Sequence, residues 1–497
     1  MSKVYVARRN IALEFFQINK PHGYAIVSWD PLTTQMKYEV VEPTLMEQEI
    51  QVLDKIREYL KATINTTMAE IGSREEAVIF LRNRVEEAIK LYRFNLSEIT
   101  KEKILYYVIR DHLDFDKIDV VMKDPLIEDI SCNGPGTPIY VWHRTFESIP
   151  SNISFNNEDE LDEYIIRLAY KGKRMISVAN PLLDASLPDG SRIQMTFGKY
   201  VTKQGSTFTI RKFKADPLTI VDLIKNKTIS ADMAALIWYL VENKTSIFVC
   251  GGIASGKTTM LNCLTTFIAP DVKIVTIEDT PEIYLYHKNW IRAITRPSTG
   301  SSKEIGLFDL LRAAMRQRPD YILVGEIRGE EAYTLFQAMG TGHLGLSTLH
   351  AESVDSALRR LETEPMNIPK MMIASLNMVI VMARRDVEGN PVRKVITCAE
   401  VKGLNRNGNV DVSTLIEWNP KNDTWHLSHD SYYLKKEATR KGITIEEAKN
   451  DVRMRTEILT ILAEQNKRSF SEVTQVIRDY VRTPKNVHDT LVGGTFL

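Results

Sequence analysis

The run Ser246-Ile247-Phe248-Val249-Cys250 is followed at once by Gly251-Gly252-Ile253-Ala254-Ser255-Gly256-Lys257-Thr258. No other stretch constrains the fold as strongly. The run reads as a buried strand and Thr259 to Ile268 as a helix, so the glycines fall on a tight strand-to-helix turn. A turn of this kind aims successive backbone N–H groups inward and cradles phosphate. Gly251 and Gly256 let the chain curl, Lys257 is placed to pair with terminal phosphates, and the Thr258 hydroxyl is placed on Mg2+. Gly252, Ile253, Ala254, Ser255 and Thr259 complete the cradle. The expected ligand is a nucleoside triphosphate.

The chain has 497 residues, too many for one ordinary core, and 43% hydrophobic with 26% charged residues fits a globular protein. Lys plus Arg and Asp plus Glu both total 64, so no net charge advertises a nucleic-acid partner. Cys132, Cys250, Cys263 and Cys398 lie far apart and form no CxxC pair, which gives neither a zinc knuckle nor a disulfide framework. A reducing cytoplasm is the compartment expected. Met371 to Ala383, the longest apolar stretch, is shorter than the roughly 20 residues a bilayer span needs. No secretory signal is read at the N-terminus, so a membrane role is expected only through a partner.

Organisation follows from periodicity and turn signals. Residues 1–95 read as an accessory, mostly helical domain, with strand-like Tyr24 to Trp29 and helical spacing over Glu47 to Leu60 and Glu75 to Tyr92. Residues 96–213 read as an α+β domain, with Ile127 to Ser131 and Ile139 to Trp142 flanking the turn Asn133-Gly134-Pro135-Gly136. Residues 214–221, with Lys214 to Pro217 at their start, are the expected hinge. In 222–402 the strands Ser246 to Cys250, Lys273 to Ile277, Tyr321 to Val324 and Leu346 to Leu349 alternate with helices, which predicts an α/β fold on a parallel sheet. Residues 403–497 read as a C-terminal appendage, a hairpin over Thr414 to His426 and then charged helices, with Ser469 and Glu472 as a capping box.

Three further segments fall at predicted strand ends, where such a sheet places its ligand. Glu278, Asp279 and Glu282 cluster after one strand and are candidates to hold Mg2+ or its waters. Tyr321 to Val324 delivers Gly325-Glu326, placing Glu326 to orient or deprotonate the water that attacks a γ-phosphate. Arg316, Arg318 and Arg328 are candidate cations. Thr341-Gly342-His343 to Thr348-Leu349-His350 brings two histidines, His343 and His350, as candidate γ-phosphate sensors.

Taken in this order, the P-loop, the acidic box, the Gly-Glu strand end and the Thr-Gly-His…Thr-Leu-His-Ala box resemble the ring ATPases of type II and type IV secretion. Thr276 to Glu282 with Asn289-Trp290, and Met315 to Glu331, look most like the archaeal branch that powers type IV pilus or archaellum assembly. The resemblance covers about residues 110 to 400. It implies a RecA-like ATPase domain preceded by a PAS-like α+β domain, ATP and Mg2+ as ligands, a homohexamer, and a cytoplasmic motor acting on a polytopic membrane platform protein and indirectly on pilin or archaellin subunits. It also nominates Arg192 and Arg211, which stand in the matching segments Leu187 to Ile193 and Phe208 to Phe213, as arginines that close the site. On residue pattern alone they read as a turn residue and an exposed strand residue. The alternative is a ring-shaped nucleic-acid motor, for which the one short basic run, Lys171, Lys173 and Arg174, is thin support.

Overall fold

A computed structural model describes residues 11–19, 21–31, 34–63, 72–213, 217–296, 304–387, 390–428 and 430–492. The chain forms two compact units, Met1–Lys214 and Ala215–Leu497, each built on a nine-stranded sheet.

The first unit opens with β1 (Ile11–Asn19), β2 (Gly23–Asp30) and β3 (Gln35–Val41), paired antiparallel. Three helices follow, α1 (Glu47–Thr63), α2 (Arg74–Leu91) and α3 (Glu98–His112), and pack around Leu53, Ile56, Leu81, Val85 and Val108. Ser73 and Glu76 start α2 as a reciprocal capping box, satisfying two of its otherwise orphaned N–H groups. The short α4 (Asp119–Lys123) leads into β4 (Ile127–Cys132), β5 (Pro138–His143) and β6 (Glu147–Ser154). After α5 (Glu158–Lys171) come β7 (Leu182–Ser186), β8 (Arg192–Thr196) and β9 (Thr207–Arg211). The sheet order is β1-β2-β3-β6-β5-β4-β9-β8-β7. The expected boundary at 95/96 is therefore not a break: the first three strands extend the sheet made by residues 127 to 211. Tyr38 is the join, pairing with Ser151 in the sheet and donating its hydroxyl to Asp124 at 2.6 Å from a fully buried position.

The second unit alternates as the sequence predicts: α6 (Ile220–Lys225), α7 (Ala231–Glu242), β10 (Ile247–Gly251), α8 (Lys257–Thr266), β11 (Ile274–Glu278) and β12 (Trp290–Ile294). It continues with α9 (Leu307–Arg316), β13 (Tyr321–Val324), α10 (Glu331–Gly340), β14 (Leu344–Leu349), α11 (Val354–Glu362), α12 (Lys370–Ile373) and β15 (Met378–Val387). Strands β12-β11-β13-β14-β10-β15 run parallel, and β10, β11 and β13 are buried at every residue, as a sheet covered on both faces requires. Antiparallel β16 (Asn390–Leu404), β17 (Val410–Asn419) and β18 (Thr424–Leu427) continue it past β15. The apolar stretch Met371 to Ala383 is the end of α12 and the start of β15, and no helix among the described residues is long and apolar enough to cross a membrane.

The C-terminal helices α13 (Tyr432–Lys441), α14 (Ile445–Glu464), α15 (Phe470–Arg482) and α16 (Pro484–Val492) correct the picture of an appendage. Leu434, Ile458, Leu459, Val473, Ile477 and Tyr480 share one core with α7 and α8. The reason lies in α7, which is apolar all round and buried from Met233 to Val241, so it needs cover on more faces than the sheet supplies. Arg455 fastens that cover. Its guanidinium lies over the rings of Trp238 and Tyr480, at 4.6 and 4.8 Å, and pairs with Glu242 at 2.6 Å and Asp451 at 3.1 Å. The boundary expected at 402/403 is accordingly not a break either. Of the expected hinge, residues 214–216 lie outside the described residues.

Candidate functional site at the strand ends

Because β10, β13 and β14 are parallel and in register, their C-terminal ends lie side by side. Three of the segments singled out in the sequence meet there. Gly251 ends β10 where a Cβ would stand 2.5 Å from the Met382 carbonyl oxygen, so only glycine fits. Gly256 (φ 93°) caps α8 in the left-handed region that favours glycine. Between them the Ser255 hydroxyl donates to the Gly252 carbonyl at 2.9 Å. Ile253 stands 86% exposed at the loop crest.

Lys257 folds back over this loop and donates to the carbonyls of Gly251 and Gly252 at 3.1 and 2.8 Å. Burial pushes its ammonium below the ordinary lysine value, and the charge of Glu326 opposes that shift. Nζ also lies 3.4 Å from Nδ1 of His350, and His350 Nε2 lies 2.8 Å from Glu326 Oε1. An ammonium only donates, so Nδ1 accepts at that contact, while His350 Nε2 and Glu326 Oε1 stand within ion-pair distance without hydrogen-bond geometry. Lys257, His350 and Glu326 thus form one polar chain across the ends of β10, β14 and β13.

The end of β13 is fixed from β14: Thr348 donates its hydroxyl to the Gly325 carbonyl at 2.7 Å, and Ile327 N–H reaches the Thr348 carbonyl at 3.1 Å. Glu331, which the sequence reading did not single out, accepts from the backbone N–H of Arg328 and Gly329 at 2.6 and 2.8 Å and closes the turn after Glu326.

The acidic box is organised differently from a cluster of three metal-binding carboxylates. Glu278 is 1% exposed, and its Oε1 accepts from the N–H of Glu282 and Ile283, both at 2.7 Å. Burial pushes its carboxyl up to about 7, against the pull of those N–H groups and of Arg292, whose Nε is 3.7 Å from Oε2. Asp279 pairs with Arg328 at 2.7 Å, while Glu282 offers its backbone carbonyl to Asn262 at 3.0 Å. No group of three or more His, Cys, Asp or Glu among the described residues is arranged to hold a metal. With Thr258 on the first turn of α8, the site fits a Mg2+ ion carried mainly by a substrate's phosphates rather than by a protein cage.

His343 does not join His350. It precedes β14 at the opposite end of the sheet, with Nδ1 3.1 Å from the Ala338 carbonyl, and lines a cavity of about 230 Å3 with Lys244, Arg318, Asp320 and Thr341. Arg318 stands at that same far end, and Arg316 closes α9 just before it, because both precede β13. Of the three candidate cations only Arg328 lies near Glu326. A cation the sequence did not reveal, Arg393 of β16, donates from Nε to the Ala254 carbonyl at 3.0 Å and packs its stem 3.3 Å from the position a Cβ on Gly256 would occupy. Only tertiary pairing brings it to the loop, so no local pattern marks it.

In the first unit, Arg192 and Arg211 stand directly opposite each other in the β8–β9 pair, on its exposed face. Neither guanidinium has an ion-pair partner among the described residues. Like charges directly opposite in a sheet are destabilising, so this pair is not there to hold the sheet together.

A glycine-rich strand-to-helix loop between β10 and α8, at the carboxyl ends of a parallel sheet, defines an α/β protein whose loop has the phosphate-loop pattern. The chain belongs to the type II/IV secretion system protein family, whose model matches residues 112–477. An uncharacterised protein of Methanocaldococcus jannaschii is 36% identical over 469 residues, covering 89% of this chain and 85% of that one. The conjugal transfer protein TrbB of Rhizobium radiobacter is 33% identical over 225 residues, 44% of this chain and 67% of TrbB. The X-ray structure of the Legionella pneumophila ATPase DotB aligns over 75% of this chain and 94% of its own, with 16% identity and a TM-score of 0.42.

Proposed function

We propose that the chain hydrolyses ATP and works as a homohexameric cytoplasmic motor of a type II/IV secretion-like machine, one that assembles an archaeal type IV pilus or archaellum through a membrane platform protein. The polar chain Lys257–His350–Glu326 beside the P-loop carries this reading. Lys257 exchanges its loop carbonyls for the β- and γ-phosphates. Glu326 takes a proton from water as the water oxygen attacks the γ-phosphorus and the bond to the β–γ bridging oxygen breaks, leaving ADP and phosphate. His350 stands between Lys257 and Glu326 and registers the charge on both. Thr258 would hold Mg2+ together with the phosphates, and the bound ion would supply neutralising charge. Glu278 and Asp279 order the segment beside it, and Arg192 and Arg211 supply further positive charge to the transferred phosphoryl group.

TrbB, among the relatives, is named for conjugal transfer, which keeps a nucleic-acid motor as the second reading. In the basic run that would serve it, Lys171 donates to the Leu113 carbonyl at 3.2 Å and its charge is disfavoured by burial. An ATPase assay over a dilution series, with liposomes of anionic lipid or with DNA added, separates the readings. Turnover that rises with protein concentration and with lipid, and ignores DNA, is expected. Strong, salt-sensitive stimulation by DNA alone would transfer the assignment to the nucleic-acid motor.

A further inference from the structure

The segment from Asp279 to Asn289, between β11 and β12, supplies the two N–H groups that hold Glu278, whose Cγ would meet a Cβ on Gly325 at 3.4 Å, and its Asp279 pairs with Arg328 in the turn after Glu326. One side of it is held by α8, the helix that starts in the P-loop. Asn262 donates to the Glu282 carbonyl at 3.0 Å and accepts from Tyr284 N–H at 2.9 Å, and His287 Nε2 lies 3.2 Å from the Ile268 carbonyl. The other side is met by the C-terminal helix α15. The ring of Phe470, buried at the start of α15, meets that of Tyr284 edge-on at 5.2 Å. Two turns on, the Arg478 guanidinium lies 5.3 Å from the ring of Tyr286. The turn between α14 and α15 is itself fastened to α6: Thr219 donates its hydroxyl to the Arg468 carbonyl at 3.2 Å, Arg468 pairs with Asp222 at 3.4 Å, and Lys225 pairs with Asn466.

We propose that Phe470 and Arg478 are positioning residues for hydrolysis: α15 presses the 279–289 segment against α8 and so sets Glu278 and Asp279 beside Glu326. The last helices are then part of the working site, and a protein partner that grips them changes the rate of turnover without touching nucleotide. Nucleotide affinity rests on the P-loop, with which α15 shares no hydrogen bond, ion pair or ring contact among the described residues, so the effect falls on turnover. The inference rests on the proposed ATP hydrolysis.

The test uses the full chain with Phe470→Leu, Tyr284→Leu, the double variant and Arg478→Lys, reading kcat, KM and the affinity for a fluorescent ADP analogue. Expected are losses of kcat of about tenfold for each leucine variant, since small misplacements of reacting groups cost rate steeply, with nucleotide affinity within about twofold of wild type. The double variant should lose no more than either single one, because both remove the same contact, and Phe470→Tyr should restore turnover. Unchanged kcat, or multiplied losses in the double variant, overturns the proposal. Loss of kcat together with affinity and melting temperature overturns it too, since that is the mark of a merely structural role. A wild type that binds the analogue but turns over no ATP removes the proposed function itself.

Discussion

The two sheets present side chains to the outside in opposite ways. In the first unit β5 alternates exposed and buried residues along its length, and β8 and β9 keep one face open, so charged side chains ride on the face of the sheet, as Arg192 and Arg211 do. In the second unit β10, β11 and β13 are buried throughout, so along these strands no face is open and the candidate groups Lys257, Glu326 and His350 stand beyond strand ends. A sheet sealed on both sides concentrates its chemistry at one edge. A half-open one can place it anywhere along a strand.

The sharpest break of this contrast is at the strand ends. Lys257→Ala should abolish hydrolysis and weaken nucleotide binding, whereas Glu326→Gln should lower kcat by about 100-fold or more while binding persists, because the carboxylate acts only as water attacks. Comparable turnover by wild type and Glu326→Gln would remove Glu326 from the chemistry.

On the open face, Arg192→Ala and Arg211→Ala should each cut kcat by roughly 10- to 1000-fold with little change in melting temperature, as expected of charges aimed at a transition state. A fall in melting temperature without loss of rate would make them structural. If one acts across subunits, mixing its variant with Lys257→Ala protein should recover part of the activity.

Burial itself supplies the next test. Phe248→Ala, in the sealed sheet, should cost about 3–5 kcal/mol, whereas Tyr140→Ala, on the exposed face of β5, should cost under about 1 kcal/mol by denaturant unfolding. Similar losses at both sites would erase the distinction between the sheets.

Glu278 gives the most specific effect. Its carboxyl stays protonated up to about 7 in the folded chain but ionises near 4.5 once unfolded, so the unfolded state is favoured progressively as pH rises through that window. Wild type should lose roughly 3 kcal/mol of stability from this group between those pH values, a loss that remains above them and that Glu278→Gln does not show. Parallel pH–stability curves for the two proteins would count against a buried, protonated Glu278.

How much of this was legible beforehand follows the same division. Strands β10, β11, β13 and β14 and the P-loop are local signals: uninterrupted apolar runs and glycines whose backbone angles nothing else tolerates. The strand-end positions of Glu326 and His350 were legible because each directly follows or closes such a run. His343, Arg316 and Arg318 were misplaced because residue type does not say which end of a parallel strand a neighbour occupies; that depends on register. Arg393, Asn262 and Glu331 act on backbone groups distant in sequence or already bonded in a turn, and no spacing announces that. The first three strands and the last four helices looked peripheral because their partners, Ser151 for Tyr38 and Trp238 for Arg455, lie far along the chain.

Strand β10 lies between β14 and β15, and α7 is covered by Arg455 and Tyr480. A chain leaving the ribosome makes residues 231–251 long before any of these neighbours exist. Such non-local pairing is slow to form, and its apolar surface is open to aggregation meanwhile. The first unit, whose sheet closes within residues 11 to 211, has all its strands in hand by then. The glycine-rich loop after β10 is therefore among the early parts of the second unit to be synthesised, yet the strands that flank it, β14 and β15, are made roughly a hundred residues later.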